Sequence, residues 1–430
     1  MASVAAGDPP PGRELIGGDR DNAVPSLKRR LRRVERARQL RHAALILPLL
    51  LFLGFTFLVP IGTMLWHSVD DPDVARVLPR SVAALKGWNG QALPDEAAFA
   101  ALAADLDQAA RDQTTPAAAK RLNYDVNGFR SLLMNTARHL EAAPAAAGEA
   151  KATLLDIDPR WGDLESWGAI HRAAGPLTGF YLLAALDLHR TADGHIVGTP
   201  AEQAVYVEVL LRTLAIGFIV TALCLLLGFP TAYVLAALPA RQSNLLMIFV
   251  LLPFWTSLLV RICAWIVLLQ GNGLVNGLLQ WLGLVEQPLR LIFNRTGVYI
   301  AMTHVLLPFM ILPLYSSMKA ISPATMRAAA SLGAPPWRVF AQIYLPQTLP
   351  GIGAGSLLVF ILCIGYYITP ALVGGGGDQM ISYFIAFFTN ETVNWGMAAA
   401  LGTVLLTVTT LLALAYARLV GERQTSGGIK

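Results

Sequence analysis

The apolar positions of this chain gather into six long stretches with uneven spacing. The first covers residues 43–68 and is free of charge from 43 to 66. Five more follow closely on one another, at 210–238, 245–269, 297–318, 351–373 and 397–419. Because about 20 apolar residues suffice for a helix to cross a bilayer, the pattern predicts an all-α integral membrane protein with six transmembrane helices. A signal peptide is the weaker interpretation of the first stretch, since its polar leader is long.

A long polar and alanine-rich segment, residues 69–203, separates the first two stretches and is called the insert. Apolar side chains recur at helical spacing in four parts of it, which predicts helices at 97–110, 127–142, 164–174 and 177–189. The insert holds many aspartates but no motif that carries chemistry. We therefore expect a small helical cap or docking surface.

The distribution of charge predicts which side of the membrane the beginning of the chain faces. The chain is 55% hydrophobic and only 14% charged, and a cluster of basic residues within 28–41 precedes the first apolar stretch. Such a run is typical of a cytoplasmic anchor on anionic lipid, whereas a nucleic-acid-binding protein needs a basic face on a soluble fold. We expect no nucleic-acid partner.

Basic residues in the short connections place those connections on the same side. A basic tail at 1–42, the turn at 239–244, the loop at 319–350 and a tail at 421–430 are therefore predicted to be cytoplasmic, with a five-span core at 204–420. The insert and the connections at 270–296 and 374–396 then face outward. Two apolar runs, 274–282 and 381–388, are too short to span and are predicted to be interfacial or re-entrant.

Several kinds of chemistry have no sequence signature here. No phosphate-binding G-x-x-x-x-G-K-[S/T] loop occurs. The three cysteines, Cys224, Cys263 and Cys363, lie in apolar stretches without metal or disulfide spacing. We expect no cofactor, no metal and no catalytic residues. The run at 374–377 lacks the lysine of a phosphate loop and is predicted to be a turn at a helix end.

The loop between the fourth and fifth stretches carries clear helix signals. Ser322 can cap a helix that begins at Pro323, and Gly333 suits the left-handed position that ends it. Further prolines follow, among them Pro346 and Pro350, and predict short segments and turns before the fifth span.

This loop resembles the cytoplasmic coupling loop of ABC-importer permeases, whose pattern is E-A-A, three residues, G, and later I-x-L-P. The matching residues are Ala328, Ala329, Gly333, Ile343, Leu345 and Pro346. Arg327 stands where the family usually has Glu. The resemblance implies that the loop docks into a groove on a separate ATPase subunit, so that ATP is hydrolysed elsewhere.

Residues 43–68 weakly and 205–420 more fully resemble the first permease subunit of spermidine/putrescine importers. The resemblance is carried by segments at 227–233, 253–265, 307–315 and 367–375. It implies candidates for the translocation pathway: Pro253, Trp255, Arg261, Trp265, Tyr367, Pro370 and Asp378.

Several charged or polar residues in or near the spans have two interpretations. Arg261 either joins Phe254, Trp255 and Trp265 in a cationic and aromatic cluster, or forms an interhelical salt bridge beside lipid-facing rings. Arg212 either faces a cavity or extends to the membrane surface. Asp378 either attracts a cationic solute or caps a helix. His304 is expected to be a packed, hydrogen-bonded residue.

The resemblance implies a bacterial inner-membrane complex of this chain with a second permease subunit, ATPase subunits and an extracytoplasmic solute-binding protein, importing a polyamine. Another small organic solute is the alternative. Two other classes stay open on the residues alone. An ion-coupled carrier would need internal repeats and ionisable residues in its spans, and a membrane-anchored receptor or assembly protein would act through the insert.

The predicted topology places residue 160 outside the cell membrane. In a chain whose only cysteine is introduced by Arg160→Cys, an impermeant thiol reagent should label intact cells, because the basic run at 28–41 holds the other side in the cytoplasm. The measurement compares labelling before and after lysis. Labelling only after lysis would contradict the topology.

Overall fold

The computed structural model describes residue 44 and residues 46–146, 148–191 and 194–426, with the backbone alone for 419–426. The predicted basic tail at 1–42 lies outside the described residues, as does the end of the chain at 427–430. Residues up to Thr63 form one unit and those from Met64 onward another. Helix α1 (Ile46–His67) contains most of the described part of the first unit and widens into a π-helical turn at Gly54–Leu58.

The insert folds into short helices and one hairpin around its own apolar core. Its elements are α2 (Asp73–Val77), α3 (Pro79–Ala84), α4 (Glu96–Arg111), α5 (Thr115–Asp125), α6 (Phe129–Ala142), α7 (Ala150–Ile157), α8 (Leu164–Arg172), α9 (Phe180–Ala184), β1 (Leu188–Arg190) and β2 (Ile196–Gly198). The strands pair antiparallel, with His189 opposite Val197.

Aromatic side chains fill the core of the insert. Trp161 and Trp167 are fully buried, and the ring centroids of Phe99 and Trp167 lie 4.5 Å apart. The indole N–H groups are satisfied inside this core: Trp161 Nε1 donates to Thr136 Oγ1 at 2.9 Å, and Trp167 Nε1 donates to the Trp161 carbonyl at 2.9 Å. A polar and alanine-rich sequence therefore has enough buried surface to hold short helices together.

Three of the four helices predicted for the insert match α4, α6 and α8 closely. The helix predicted at 177–189 is wrong, because only Phe180–Ala184 is helical there. Asp187 has φ of 56°, in the left-handed region, and the chain turns into β1. Such a backbone angle ends a helix, and the apolar spacing on either side gave no sign of it.

The rest of the chain supplies the other spans. Its elements are α10 (Tyr206–Ala237), α11 (Ala240–Leu251), α12 (Leu258–Leu269), α13 (Leu274–Trp281), α14 (Arg295–Lys319), α15 (Pro323–Ser331), α16 (Pro336–Gly365), α17 (Ile368–Val373), α18 (Ile381–Asn390) and α19 (Trp395–Ser426). Within the described residues, six helices are long and apolar enough to cross a membrane, as predicted. Helices α10, α14 and α16 pack together around a shared core that includes Cys224, Met310 and Val359.

The third predicted span, 245–269, is not one helix. A 3₁₀ turn at Leu252–Trp255 separates α11 from α12, and Pro253 lies in that turn. The break follows from proline, which lacks the N–H that would continue the helix. The segment long enough to span is instead Leu258–Trp281, which joins α12 to the run predicted to be interfacial.

The fifth predicted span, 351–373, is also wrong in its limits. Helix α16 begins at Pro336 and passes through both Pro346 and Pro350 before it ends at Gly365. A π-helical turn at Phe340–Tyr344 precedes Pro346, and the Leu345 N–H reaches back to the Phe340 carbonyl. This wider turn shifts the hydrogen-bond register where proline removes a donor, so the helix continues.

The insert joins the permease core at the start of α10. The Asp187 carboxylate accepts the backbone N–H groups of Val205, Tyr206 and Val207 at 3.1, 3.0 and 2.8 Å. It therefore satisfies donors that a helix start leaves free. Tyr181 of α9 is buried against α10 and α19, in a cluster that includes Met397. The insert is thus attached to the start of α10 by hydrogen bonds and by apolar packing.

Candidate functional site

The loop helix α15 has the two ends that the sequence predicted. Ser322 Oγ accepts the Ala324 N–H at 3.3 Å, and Pro323 occupies the first turn. At the other end Gly333 has φ of +81°. Its N–H bonds to the Ala330 carbonyl and the next N–H bonds to the Ala329 carbonyl. These two bonds close the helix in the paired arrangement that needs a left-handed residue.

The surface of this loop is apolar and uncovered. No residue of α15 is buried, Leu332 is 89% exposed and Trp337 is 63% exposed. Arg327 and Ala328 are exposed, Ala329 is half-buried, and Arg327 has no ion pair within the described residues. An exposed short helix with large apolar side chains exposed just after it, as Leu332 and Trp337 are here, is typical of a docking surface.

The second half of the predicted loop is the beginning of α16. Ile343 and Leu345 are half-buried there and Pro346 is exposed. Between Ile343 and Leu345, Tyr344 is buried and packs edge-on against Tyr233 of α10 at 5.3 Å between ring centroids. Lys319, at the other end of the loop, donates to the Ala236 carbonyl at 3.2 Å. The loop is therefore fixed to the end of α10 on both of its sides.

The predicted cluster of rings around Arg261 does not form. Trp255 is 77% exposed in the turn that contains Pro253, and Phe254 instead packs against Phe309 of α14. Trp265, one turn beyond Arg261, donates its Nε1 proton to His304 Nδ1 at 3.1 Å. The predicted role of His304 as a packed, hydrogen-bonded residue agrees with this contact.

Arg261 keeps an unusual position for a charged residue. Within the described part of the chain it makes no ion pair, and its Nε atom is buried without a hydrogen-bond partner. The alternative of an interhelical salt bridge is therefore not seen inside this chain either. Because an unpaired charge in a membrane is costly, we expect Arg261 to meet a group that comes from outside the chain.

The remaining pathway candidates lie where α16 gives way to α17 and α18. Tyr367 precedes α17 and is 39% exposed, whereas Pro370 lies within α17 and is buried. The following glycines form the predicted turn. A Cβ at Gly374 would lie 2.5 Å from the Pro370 carbonyl and 2.8 Å from Val298 Cγ2, so the turn approaches α14 too closely for any side chain.

Asp378 closes this turn and links it to α14. One carboxylate oxygen accepts the Gly375 N–H at 3.1 Å, and the other accepts Arg295 Nε at 2.9 Å. The capping interpretation of Asp378 therefore agrees with the structure, and its charge is shared with a guanidinium. Arg212 of α10 also reaches the turn and donates to the Gly377 carbonyl, rather than extending to a surface.

Sequence reasoning missed Arg295 and gave Arg212 no partner in this turn. Arg295 follows Asn294, whose side chain caps α14 by accepting the Gly297 N–H at 3.0 Å. Asn before a span is a cap signal, but nothing in the sequence pairs Arg295 with a residue 83 positions away. The turn at 374–378 thus receives cationic side chains from both α10 and α14.

Substitutions can separate the two contacts of Asp378, the cap on the Gly375 N–H and the ion pair with Arg295. Asp378→Ala should lower the free energy of unfolding by about 1–2 kcal/mol, because it removes both the acceptor of the Gly375 N–H and the partner of Arg295. Asp378→Asn should have about half that effect, because the amide oxygen still accepts the N–H. Chemical unfolding of the purified chain in detergent measures both. Equal losses for the two variants would contradict the capping contact.

Comparison with known proteins assigns this architecture to a family. Residues 225–424 match the model described as binding-protein-dependent transport system inner membrane component. The spermidine/putrescine transport system permease protein PotB of Escherichia coli (strain K12) is 38% identical over 213 residues, which cover 50% of this chain and 78% of that protein. The inner membrane ABC transporter permease protein YdcU of the same organism is 33% identical over 228 residues, covering 50% and 72%.

A solved structure is also similar over part of its length. The crystal structure of a bacterial ABC transporter involved in the import of the acidic polysaccharide alginate is 21% identical, with a TM-score of 0.42, covering 50% of this chain and 80% of that one. The sequence relationship to permeases decides the assignment. The chain belongs to the family of binding-protein-dependent transport system inner membrane components and is a permease subunit of an ABC importer.

Proposed function

We propose that this chain forms half of the translocation pathway of an importer for a small polyamine such as putrescine or spermidine. The observation that supports a polyamine as the solute is the 38% identity to PotB over most of that protein. The proposed complex adds a second permease subunit, ATPase subunits on the side of α15 and a solute-binding protein on the side of the insert. Both chain termini are cytoplasmic in this proposal.

The geometry of α15 supports its role as the contact to the ATPase. The helix is closed at both ends and has no buried residue, and the segments on either side of it are held to α10 by Lys319 and Tyr344. A stiff, capped helix passes a displacement on to the helices attached to it. Coupling between the ATPase subunits and the spans needs such a packed element with two discrete arrangements. Closure of the ATPase subunits would then tilt α10 and α16 together.

The spans themselves give weak support for a cationic solute. Trp265 and Tyr367 offer rings whose faces attract ammonium groups, but Arg261 would repel a cation that passed beside it. Import of a solute with an anionic group is therefore the second candidate, and the unpaired Arg261 is the observation that favours it. In the proposed complex the binding protein selects the solute, and the spans need only admit it.

Gly333 offers a test of the coupling loop. Gly333→Asp should abolish stimulation of ATPase activity by the solute-binding protein, with normal insertion into the membrane. The substitution adds a charge to the docking surface and strains a left-handed backbone, while the structure leaves open space around the new side chain. ATPase activity of the reconstituted complex is the measurement.

Gly148→Asp is a matched control, because Gly148 has φ of +82° and nothing within 4 Å of an added Cβ, but lies in the insert. It should keep wild-type stimulation. If Gly333→Asp also keeps full stimulation, the assignment of the loop as the ATPase contact fails.

Uptake experiments test the solute. Cells without this chain should take up labelled putrescine or spermidine more slowly, and the wild-type copy should restore uptake. Rates are measured over the initial linear phase, with an unrelated amino acid as the control solute. Unchanged polyamine uptake together with lost uptake of an organic anion would reject the polyamine and leave the importer class intact.

A further inference from the structure

A large groove lies where the insert meets the permease core. Its volume is about 650 Å³, within the range of small-molecule sites. The insert contributes the end of α5, parts of α8 and α9 and the beginning of the hairpin, and the core contributes the first residue of α10 with residues of α18 and α19. Neither the coupling loop nor the pathway candidates reach this junction groove.

The charged groups in the wall of the junction groove are acidic. Asp125, Glu165 and Asp187 line it, and no Lys or Arg is among its described lining residues. Arg172 stands behind the wall and bonds to Asp125 at 3.0 Å and to Glu165 at 2.6 Å. One guanidinium thus serves two carboxylates, which leaves a net negative charge, and the Glu165 side chain is 52% exposed.

Aromatic rings make up much of the rest of the wall. Phe180 and Tyr181 line the groove, and the Arg121 guanidinium lies over both rings, 4.2 Å from the centroid of Phe180. This contact shows that the rings already bind a cation on one side. Tyr206 and Phe388, whose centroids are 6.2 Å apart, have no cation over them within the described residues.

Two polar atoms in the wall are unsatisfied. The Tyr124 hydroxyl and His189 Nδ1 are buried without a hydrogen-bond partner. Burial raises the pKa of the Tyr124 hydroxyl, so it stays neutral and its oxygen remains an acceptor. Buried polar groups without partners are uncommon in folded proteins, and a ligand with N–H groups is a natural partner for such atoms.

We propose that the junction groove binds a linear organic cation with two or more amino groups. Carboxylates beside uncovered aromatic rings recognise ammonium groups, and apolar ring faces accept the methylene chain between them. The inference rests on the proposed polyamine function and adds a place where the solute is held on the insert side, outside the spans.

Binding to the purified full-length chain in lipid nanodiscs tests the proposal, with radiolabelled putrescine as the probe. Glu165→Gln should raise the dissociation constant about tenfold, and Phe388→Leu about fivefold, since each removes one attraction for ammonium and leaves the shape of the wall. Glu141→Gln, on an exposed acid of α6 outside the groove, should change it less than about twofold. Butane-1,4-diol, which has the same length without charge, should not compete.

The possible outcomes distinguish a failure of the junction groove from a failure of the proposed polyamine function. No saturable putrescine binding by the wild-type chain, or equal binding by wild type, Glu165→Gln and Phe388→Leu, overturns the junction groove. If putrescine uptake by cells still depends on the chain in that case, the polyamine function stands and only the groove is rejected. Loss of binding in both variants, with uptake also reduced, supports the groove.

Discussion

The constraint behind this structure is that a hydrocarbon core offers no hydrogen bonds to backbone groups. Continuous helices meet it, and each interruption is compensated. The π turn at Phe340–Tyr344 lets α16 pass through prolines. Hydroxyl groups in the spans obey the same constraint by donating to carbonyls one turn earlier, as Thr213, Thr221 and Thr403 do. The break at Pro253 lies just before the span Leu258–Trp281, whose side chains are largely exposed in the isolated chain, where other subunits or lipid can surround it.

Helix α10 is the element through which the two ends of the protein are connected. On the loop side it is held by Tyr344 and Lys319, and on the insert side by the carboxylate of Asp187. Because the same 32-residue helix is anchored at both ends, we propose that a tilt imposed at the loop reaches the insert through α10. The insert has its own core but is attached to the rest of the chain at the start of this helix.

Those parts of the fold that depend on local sequence were predictable. Apolar length predicted the number of spans but not the limits of the third and fifth, and Ser322 and Gly333 predicted the limits of α15. The parts that failed depend on contacts distant in sequence or on a change of helical register. The pairing of Asp378 with Arg295 and the cap that Asp187 places on α10 have no local signal. The prolines of α16 were misread because a π turn offsets their effect, and the Arg261 cluster failed because each ring found a partner on α14 or remained exposed.

The distribution of acids indicates how such a protein could treat a cation. Within the six described spans the only acid is Glu208, close to the start of α10 and 78% exposed. A carboxylate deep in a span would attract an ammonium group strongly, because the effective dielectric constant is low there, and would also slow its release. Carboxylates in the hydrated junction groove attract the same group more weakly. A solute held there is concentrated near the pathway and can still leave it, which is what transport through the spans requires.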